Sequence, residues 1–329
     1  MAGVSQMKKI LFSLACALLF LTSCSPAGST TSQPLVHLRL AMGYQPDVQF
    51  APIYTAIEKG YFAAEGFDVE LIYQDENLSA QLVGADELQF AIVSGEQVPL
   101  ARAQGLPVVY VAAWYQQYPV SIVSAADLNI ETPSDLRGRT IGLPFLFGAN
   151  YIGLRALLYA GGLQESDVTL ETIGYGQVDA FTAGRNPIIV GYIASEPIKL
   201  RALGYNLTEL RVADYVQLAS NGLITNEKTI SGNPDTVQRM VTALLHGIAD
   251  TLADPETAYQ ISLNYVEGLT ADDPVQKQVL ATSIELWQAD RLGYSNPQAW
   301  ENMQTVLLDM GLLTQPLDLT KAFTNEFVP

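Results

Sequence analysis

The stretch APIYTAIEKGYFAAEGFDVEL, residues 51–71, joins a short apolar helical pattern to a strand pattern and decides the class of fold. Pro52 suits the first turn of a helix, because the amide that proline lacks would be unpaired there in any case. The helical pattern ends at Gly60, and after a turn polar and apolar residues alternate as they do in a half-buried strand. A helix followed closely by such a strand is typical of α/β proteins.

The same alternation continues on both sides of this stretch. Short apolar runs predict strands over 38–44, 68–73, 90–94, 108–114, 119–124, 140–144, 168–173, 188–192, 209–214 and 221–226. Helical patterns between them predict helices over 52–59, 78–84, 96–103, 133–137, 150–160, 177–184 and 194–201. Beyond residue 233 the pattern becomes mainly helical, over 234–252, 255–265, 272–289, 297–310 and 318–324.

This order predicts two α/β lobes, each a sheet flanked by helices, with a ligand cleft between them. We expect residues 36–121 together with 221–329 to form the first lobe and residues 122–220 to form the second. The chain would then cross between the lobes twice, near 121–125 and near 215–221. The helical tail has no strands of its own, so we expect it to pack on the first lobe.

The composition describes a globular protein and excludes some kinds of partner. The chain has 329 residues, which allow about two domains, and 49% of them are hydrophobic. Acidic residues outnumber basic ones by 34 to 17, and the formal net charge is −17. Such an excess of negative charge argues against nucleic-acid binding and against a polybasic membrane patch.

The first residues have the features of an export signal. Lys8 and Lys9 precede an apolar run over 10–20, which is too short to span a bilayer, and LTSC follows at 21–24. LTSC resembles the lipobox of bacterial lipoproteins, in which the peptide is cut before an acylated cysteine. We therefore expect a signal peptide at 1–23, an acylated Cys24 with a flexible tether at 24–35, and anchoring at the extracytoplasmic face of the cell membrane.

The type of signal peptide and the first residue of the chain stay open. An ordinary secretory signal with a chance cysteine is the alternative, and translation could start at Met1 or at Met7. Only Cys16 and Cys24 are present, so the rest of the chain has no disulfide, no thiolate nucleophile and no cysteine-bound metal.

Four segments together carry a family resemblance. They are residues 51–71, LQFAIVSGEQ at 88–97, DLRGRTIGLP at 135–144 and GLRALLYAGGLQESDVTL at 153–170. In this order they resemble the solute-binding proteins of ABC importers, in the branch of nitrate, alkanesulfonate and thiamine-pyrimidine binders, over roughly residues 38–225. Within that branch, YQPDVQFAPIY at 44–54 and SGEQ at 94–97 are most similar to lipoproteins assigned to riboflavin import.

The resemblance implies a two-lobed periplasmic-binding-protein fold of type II and capture of a solute without chemistry. It implies no enzyme, no cofactor and no metal, and it implies a membrane permease and an ATPase as partners.

Ligands of open α/β sheets bind at the carboxyl ends of strands, and four predicted loops lie there. The first offers hydrogen-bonding groups and ring faces: Tyr44, Gln45, Asp47, Gln49, Phe50 and Tyr54. In the second, Ser94 and Gln97 have the spacing of a capping box at a helix start, and Ser94 and Glu96 are candidate contacts.

The other two loops lie at the crossover and in the second lobe. At the first crossover, Trp114 and Tyr115 suit stacking on a flat ring. In the fourth loop Asn150 is a plausible N-cap, and the candidates there and on later loops are Phe147, Gly148, Asn150, Tyr151, Tyr192 and Glu196, with Tyr175 beside them. Each candidate could instead serve packing, capping or solvation.

The charge of these loops narrows the ligand class. They contain no Lys and no Arg, whereas anionic ligands are usually held by a cation. Ring faces with neutral and acidic acceptors suit an uncharged, flat, nitrogen-rich heterocycle. The number of rings favours riboflavin over the alternative, a thiamine pyrimidine precursor of the formylaminopyrimidine type.

Two other classes of function are alternatives to an importer's binding protein: an enzyme and a binding protein of a sensor. Enzymes of this branch that make the thiamine pyrimidine use a His and a Cys-rich motif, whereas this chain has no Cys after Cys24 and its His37 and His246 lie outside the candidate loops. A binding protein that serves a separate sensor is the remaining alternative.

Overall fold

The structure is a computed structural model that describes residues 34–329. The predicted signal peptide, Cys24 and nearly all of the predicted tether lie outside the described residues. Among the described helices, none is long and apolar enough to cross a lipid bilayer.

The first of two five-stranded sheets has the order β2-β1-β3-β10-β4. Its strands are β1 (Val36–Met42), β2 (Phe67–Tyr73), β3 (Phe90–Val93), β4 (Val108–Ala113) and β10 (Gly222–Asn226). Strand β1 pairs in parallel with β2 and β3, and β10 enters antiparallel between β3 and β4. The carboxyl ends of the three parallel strands therefore meet at one edge of this sheet.

The second sheet has the order β7-β6-β8-β5-β9 and the same plan. Its strands are β5 (Val120–Ala125), β6 (Thr140–Leu143), β7 (Thr169–Thr172), β8 (Ile188–Tyr192) and β9 (Leu207–Arg211). Strand β6 pairs in parallel with β7 and β8, and β5 lies antiparallel between β8 and β9. All ten predicted strands are present, each within a few residues of its predicted bounds.

Helices cover both sheets. They are α1 (Ala51–Glu58), α2 (Tyr61–Ala64), α3 (Glu76–Gly84), α4 (Gln97–Ala103), α5 (Gly148–Ala160), α6 (Gln177–Thr182), α7 (Glu196–Ala202), α8 (Glu227–Gly232), α9 (Pro234–Ala253), α10 (Pro255–Ser262), α11 (Pro274–Trp287) and α12 (Pro297–Asp309). The last four begin in one way: an Asn or Asp side chain caps the helix and a Pro follows it. Both residues favour a helix start, which explains why this tail is helical.

Two predicted helices are wrong. Pro133–Leu136 forms a 3-10 turn that ends before Gly138, whose φ of 72° is left-handed. In the predicted helix over 318–324, only Leu319–Lys321 turns, again as a 3-10 helix. The chain after it is held extended, because Tyr110 of β4 exchanges backbone hydrogen bonds with Ala322 and Thr324.

The chain passes between the sheets twice, and the two crossings lie side by side. The first runs from the end of β4 to β5 and the second from β9 to β10. The amides of Trp114 and Tyr115 in the first both donate to the carbonyl of Asn221 in the second, each at 3.0 Å. The helix start after β3 also approaches the second crossing, since a Cβ on Gly95 would lie 2.4 Å from the carbonyl oxygen of Ala219.

The helical tail packs mainly against the first sheet and its helices. Helix α9 lies on α1 so closely that a Cβ on Gly247 would come within 2.2 Å of the carbonyl oxygen of Pro52. Val241, Leu244 and Ile248 of the same helix are buried in the core there. The tail also touches the second sheet's helices, with α11 on α7 and α12 on α5.

Candidate ligand-binding site

A cleft lies between the two sheets and is lined by loops that follow strands of both. The space between its walls, with the open mouth and its solvent included, is about 1110 Å³. The first sheet's side is lined by Gly43, Tyr44, Asp47, Gln49, Phe50, Asp75, Glu76, Asn77, Ile92 and Gln97, and the crossings add Trp114, Tyr115 and Asn221. The second sheet's side is lined by Pro144, Phe145, Phe147, Gly148, Ala149, Asn150, Tyr175, Gln177, Tyr192, Ser195 and Glu196.

The loop after β1 is shaped by Asp47. Its carboxylate accepts hydrogen bonds from the backbone amide of Gln49 at 2.9 Å and from the Gln49 side-chain amide at 3.2 Å. This caps the 3-10 turn Val48–Phe50, which leads directly into α1. Pro52 lies in the first turn of α1, as predicted. Asp47 therefore organises the loop and orients the Gln49 side-chain amide at the cleft.

The rings at the crossings form the closed end of the cleft. Trp114 is 1% exposed, and its ring centroid lies 5.8 Å from that of Phe50 and 5.7 Å from that of Trp287. Tyr115 packs edge-on against Trp287, and its hydroxyl donates to Oε1 of Gln49 at 3.3 Å. Because these rings support one another, they present a rigid apolar surface to a ligand.

A second group of rings lies at the mouth. Phe145 and Phe147 stack with centroids 5.0 Å apart, and Tyr175 meets Phe145 edge-on at 5.3 Å. Tyr44, which belongs to the first sheet's side, meets Tyr175 edge-on at 5.3 Å across the cleft. Phe147 and Tyr175 are 57% and 64% exposed, so these rings have apolar area that a ligand would cover.

Several polar atoms on the wall are buried without a hydrogen-bond partner. Within the described residues they include Oε1 of Gln97, Oδ1 of Asn150, Oδ1 of Asn221 and Nε1 of Trp114, all from residues that line the cleft. A buried polar group without a partner costs about 1–3 kcal/mol, so a cluster of them marks where a ligand or water would bind. Three acceptors and one donor suit a heterocycle that has both kinds of group at its edge.

The formal charges on the wall are all acidic. Asp47, Asp75, Glu76 and Glu196 line the cleft, and none of the described lining residues is Lys, Arg or His. Burial raises the pKa of Glu196, whose Oε2 accepts from the backbone amide of Tyr192 at 2.8 Å. Burial, reinforced by the negative charge of Glu96, raises the pKa of Glu76 to about 8. The cleft therefore disfavours anions and tolerates neutral groups.

The Ser94 hydroxyl and the His37 ring lie in separate surroundings. The Ser94 hydroxyl contacts Glu76 and Glu96, whereas His37 pairs with Asp68 and Glu70 on the exposed face of β1. The described residues contain no cluster of His, Cys, Asp and Glu that could hold a metal ion.

Eleven of the sixteen candidate contacts from the sequence lie on the cleft wall. They are Tyr44, Asp47, Gln49, Phe50, Trp114, Tyr115, Phe147, Gly148, Asn150, Tyr192 and Glu196. The other five, which the structure places off the wall, are Gln45, Tyr54, Ser94, Glu96 and Tyr151.

Those five have other surroundings. Gln45 is exposed, and its side-chain amide donates to the Tyr44 hydroxyl at 3.4 Å. Tyr54 is fully buried, with its ring stacked on Tyr265 at 4.2 Å. The Tyr151 hydroxyl donates to Glu165 at 2.5 Å and accepts from Arg155, on the side of α5 away from the cleft.

Ser94 and Glu96 lie just behind the wall: the Ser94 hydroxyl contacts Glu76, and Glu96 contacts that hydroxyl from the other side. The predicted capping box at Ser94 is wrong. The Ser94 hydroxyl is turned toward the two glutamates, so it does not cap α4. Glu96 occupies the N-cap position, and its side chain makes no capping hydrogen bond to the helix backbone.

The predicted N-cap at Asn150 is also wrong, because α5 begins earlier, at Gly148. Gly148 has a φ of 73°, which lets the chain turn sharply into the helix and places Asn150 inside the first turn.

Three residues of the cleft wall were not predicted from the sequence. They follow β2 and begin α3: Asp75, Glu76 and Asn77. Gln177 at the start of α6 and Asn221 at the second crossing were not predicted either. The other loops were selected as strand ends followed by helix starts. The same rule would have found Asp75, Glu76, Asn77 and Gln177. Asn221 follows no such pattern, and only the pairing of the crossings brings it to the cleft.

Comparison with known proteins shows the family of this chain. The model of the family described as "NMT1/THI5 like" matches residues 47–258. The chain belongs to the NMT1/THI5-like family. It is 40% identical to the riboflavin-binding protein RibY of Chloroflexus aurantiacus, over 95% of each chain. It is 26% identical to the formylaminopyrimidine-binding protein of Halalkalibacterium halodurans, over 96% of this chain and 98% of that one.

More distant relatives have an enzyme's name. One is the 4-amino-5-hydroxymethyl-2-methylpyrimidine phosphate synthase of Legionella pneumophila, which is 20% identical over 88% of this chain and 92% of that one.

Among solved structures, the periplasmic aliphatic sulphonate binding protein SsuA of Escherichia coli superposes with a TM-score of 0.71. The match covers 88% of this chain and 92% of SsuA at 14% identity, so it concerns the fold alone. It confirms the expected periplasmic-binding-protein fold, and the family match confirms the resemblance on which the sequence analysis relied.

Proposed function

We propose that this chain is the solute-binding protein of an ABC importer and that it captures riboflavin. The observation that carries the proposal is the cleft wall: rings at the closed end and at the mouth, buried side-chain amide oxygens without partners, and carboxyl groups with no cation among the described lining residues. The 40% identity to a riboflavin-binding protein over nearly the whole chain supports the same ligand.

The cleft suits a flat, fused, uncharged ring. Phe147 and Tyr175 offer exposed ring faces at the mouth, whereas Trp114 and Tyr115 close the other end with little exposed ring area. The unpartnered side-chain atoms between them can bind the polar edge of a tricyclic heterocycle, which alternates hydrogen-bond donors and acceptors. A ribityl chain has no charge and can reach the polar side chains near the mouth.

Capture would proceed by closure of one lobe on the other. In our proposal, residues 36–121 with 221–329 form one lobe and residues 122–220 the other, and the paired crossings act as the hinge. The closed form would dock on a membrane permease driven by an ATPase. Ligand contacts that exist only in the closed state would favour closure.

The location of the protein is part of the proposal. We infer from LTSC at 21–24 that the mature chain begins at Cys24 and is acylated there. Two or three acyl chains give firm anchoring where one chain is marginal. The cleft would then operate near the outer face of the membrane.

A formylaminopyrimidine is the second candidate ligand, favoured by the 26% identity to a binder of that compound. A single pyrimidine ring would leave part of the aromatic wall uncovered, which is why riboflavin comes first. A synthase role is the weaker alternative, because the chain has no Cys after Cys24 and neither His37 nor His246 lines the cleft.

The test is a titration of riboflavin with the chain from Ser25 onward while flavin fluorescence is followed. The proposal predicts saturable quenching at micromolar concentration or below. Absence of quenching by folded protein that has no carried-over ligand would refute riboflavin and leave the pyrimidine as the leading candidate.

A further inference from the structure

Three side chains meet at the first sheet's side of the cleft: Glu76 from the start of α3, Ser94 after β3, and Glu96 at the start of α4. The Ser94 hydroxyl contacts the Glu76 carboxyl and lies 2.7 Å from Oε1 of Glu96. The Ser94 backbone amide also donates to Oε2 of Glu76, at 3.1 Å. Glu76 lines the cleft, whereas Ser94 and Glu96 are fully buried behind it.

The number of protons in this group follows from its geometry. A serine hydroxyl has one hydrogen and can donate it to only one of the two carboxyl groups. Its contact with the second carboxyl therefore needs a hydrogen supplied by that carboxyl. If both glutamates were ionised, one of the two contacts would place two unprotonated oxygens against each other.

The surroundings of the two glutamates also favour the state with an extra proton. Among the described residues, no cation faces Glu76 or Glu96. Burial and the neighbouring charge raise the pKa of Glu76, and burial raises that of Glu96. The titratable groups that interact with the pair from the elements around it are Asp75, Tyr118, Tyr175 and Tyr192. Asp47 and Glu196 line the same cleft. Lys199 bonds Ser195 at 3.0 Å and is outside the cleft wall.

A second observation connects this group to a ligand. Gln97 is 5% exposed, and its side-chain amide donates to Oε1 of Glu96 at 3.3 Å. Its Oε1 has no partner within the described residues and belongs to the cleft wall. The buried carboxyl pair is thus continuous with a side chain that lacks a partner until a ligand or water binds.

We propose that Glu76, Ser94 and Glu96 share one extra proton, so that the group carries a single negative charge and capture of a neutral heteroaromatic solute is coupled to that proton. Closure over the ligand removes water from Glu76, and desolvation disfavours its charged form further. The ligand therefore binds the protonated cleft more tightly than the deprotonated one. This inference deepens the proposed function and rests on it for the identity of the ligand.

The sign of the pH dependence follows. Below the free-state pKa of Glu76, about 8, affinity is constant, and above it affinity falls as the proton is lost. Between pH 7 and pH 9 the dissociation constant for riboflavin rises about tenfold. An ionised Glu76 that accepted a hydrogen bond from the ligand would give the opposite slope, with affinity rising with pH.

The experiment measures riboflavin affinity from pH 6 to pH 9 for the chain from Ser25 onward and for Glu76→Gln and Glu96→Gln. Glu76→Gln should show a flat affinity profile from pH 6 to pH 9, because the amide has no proton to lose in this range. Glu96→Gln, which changes a residue off the cleft wall, should move the fall in affinity to lower pH. A flat or rising profile in the unchanged protein overturns the proposal.

A readout without ligand separates this proposal from the proposed function. With 13C-labelled glutamate, one side-chain carboxyl resonance of the ligand-free protein should titrate near pH 8 and disappear in Glu76→Gln. If riboflavin does not bind but this resonance is found, the ligand is wrong and the shared proton stands. If every glutamate titrates below pH 6, the shared proton is refuted whatever the ligand is.

Discussion

Replacing Asn150 by Ala should make the ligand-free protein more stable and its ligand binding weaker. Asn150 lies in the first turn of α5 on the cleft wall, and its Oδ1 is buried without a partner in the described structure. Ala is the better helix former by about 0.5 kcal/mol. It also removes a buried acceptor whose missing hydrogen bond costs about 1–3 kcal/mol.

Part of this gain is offset where water reaches the side chain, so we expect the free energy of unfolding to rise by about 1 kcal/mol. In a chain of this size that raises the melting temperature by roughly 2 °C. Riboflavin would lose one hydrogen bond worth about 0.5–1.5 kcal/mol, and the dissociation constant would rise roughly 2- to 12-fold. Thermal unfolding without ligand and a fluorescence titration measure the two effects separately.

The neighbouring residue provides the control. The Tyr151 hydroxyl bonds Glu165 and Arg155 away from the cleft, so Tyr151→Phe should lower stability and leave riboflavin affinity unchanged. If Asn150→Ala lowered the melting temperature by several degrees and left affinity unchanged, Asn150 would be a structural residue, and the interpretation of unpartnered wall atoms as ligand contacts would fail.

Three further changes test other parts of the structure. Phe147→Ala, at an exposed ring of the mouth, should weaken riboflavin binding roughly 2- to 12-fold with little effect on unfolding, and equal affinity would remove that ring from the site. Riboflavin 5′-phosphate should bind at least about tenfold more weakly than riboflavin. Its phosphate adds negative charge near the carboxyl groups of the cleft wall, and none of the described lining residues is a cation. Equal binding of the two compounds in a competition titration would contradict this prediction. Gly247→Ala should destabilise the fold by about 1–3 kcal/mol, because its Cβ would meet Pro52. Gly232→Ala is the control in thermal unfolding and should be nearly neutral, because a Cβ there has nothing within 4 Å. Equal effects of the two changes would refute the tight packing of α9 on α1.

Much of the fold was predictable because local signals agree with the tertiary structure. Each strand is a short apolar or alternating run, and the tail helices begin with an Asn or Asp followed by Pro. The two failures were short segments, where a few residues of helical pattern make only one 3-10 turn. In 318–324 the deciding interaction is with Tyr110, which is distant in sequence and invisible to local pattern.

The site was predictable as a set of loops and less so as a set of side chains. Strand ends selected most of the wall, but period and spacing do not say which way a loop side chain points. Tyr54 and Tyr151 were candidates because they are aromatic residues near strand ends, and both turn away from the cleft. Ser94 and Glu96 lie one layer behind the wall, where the Ser94 hydroxyl contacts both Glu76 and Glu96.

The central claim is that the cleft between the sheets captures one riboflavin in preference to a single pyrimidine ring. Calorimetric titration of the chain from Ser25 onward, with riboflavin and with formylaminopyrimidine in parallel, tests it most directly. The account predicts one riboflavin per chain and weaker binding of the pyrimidine. Tighter binding of the pyrimidine, or no heat with either compound, would contradict it.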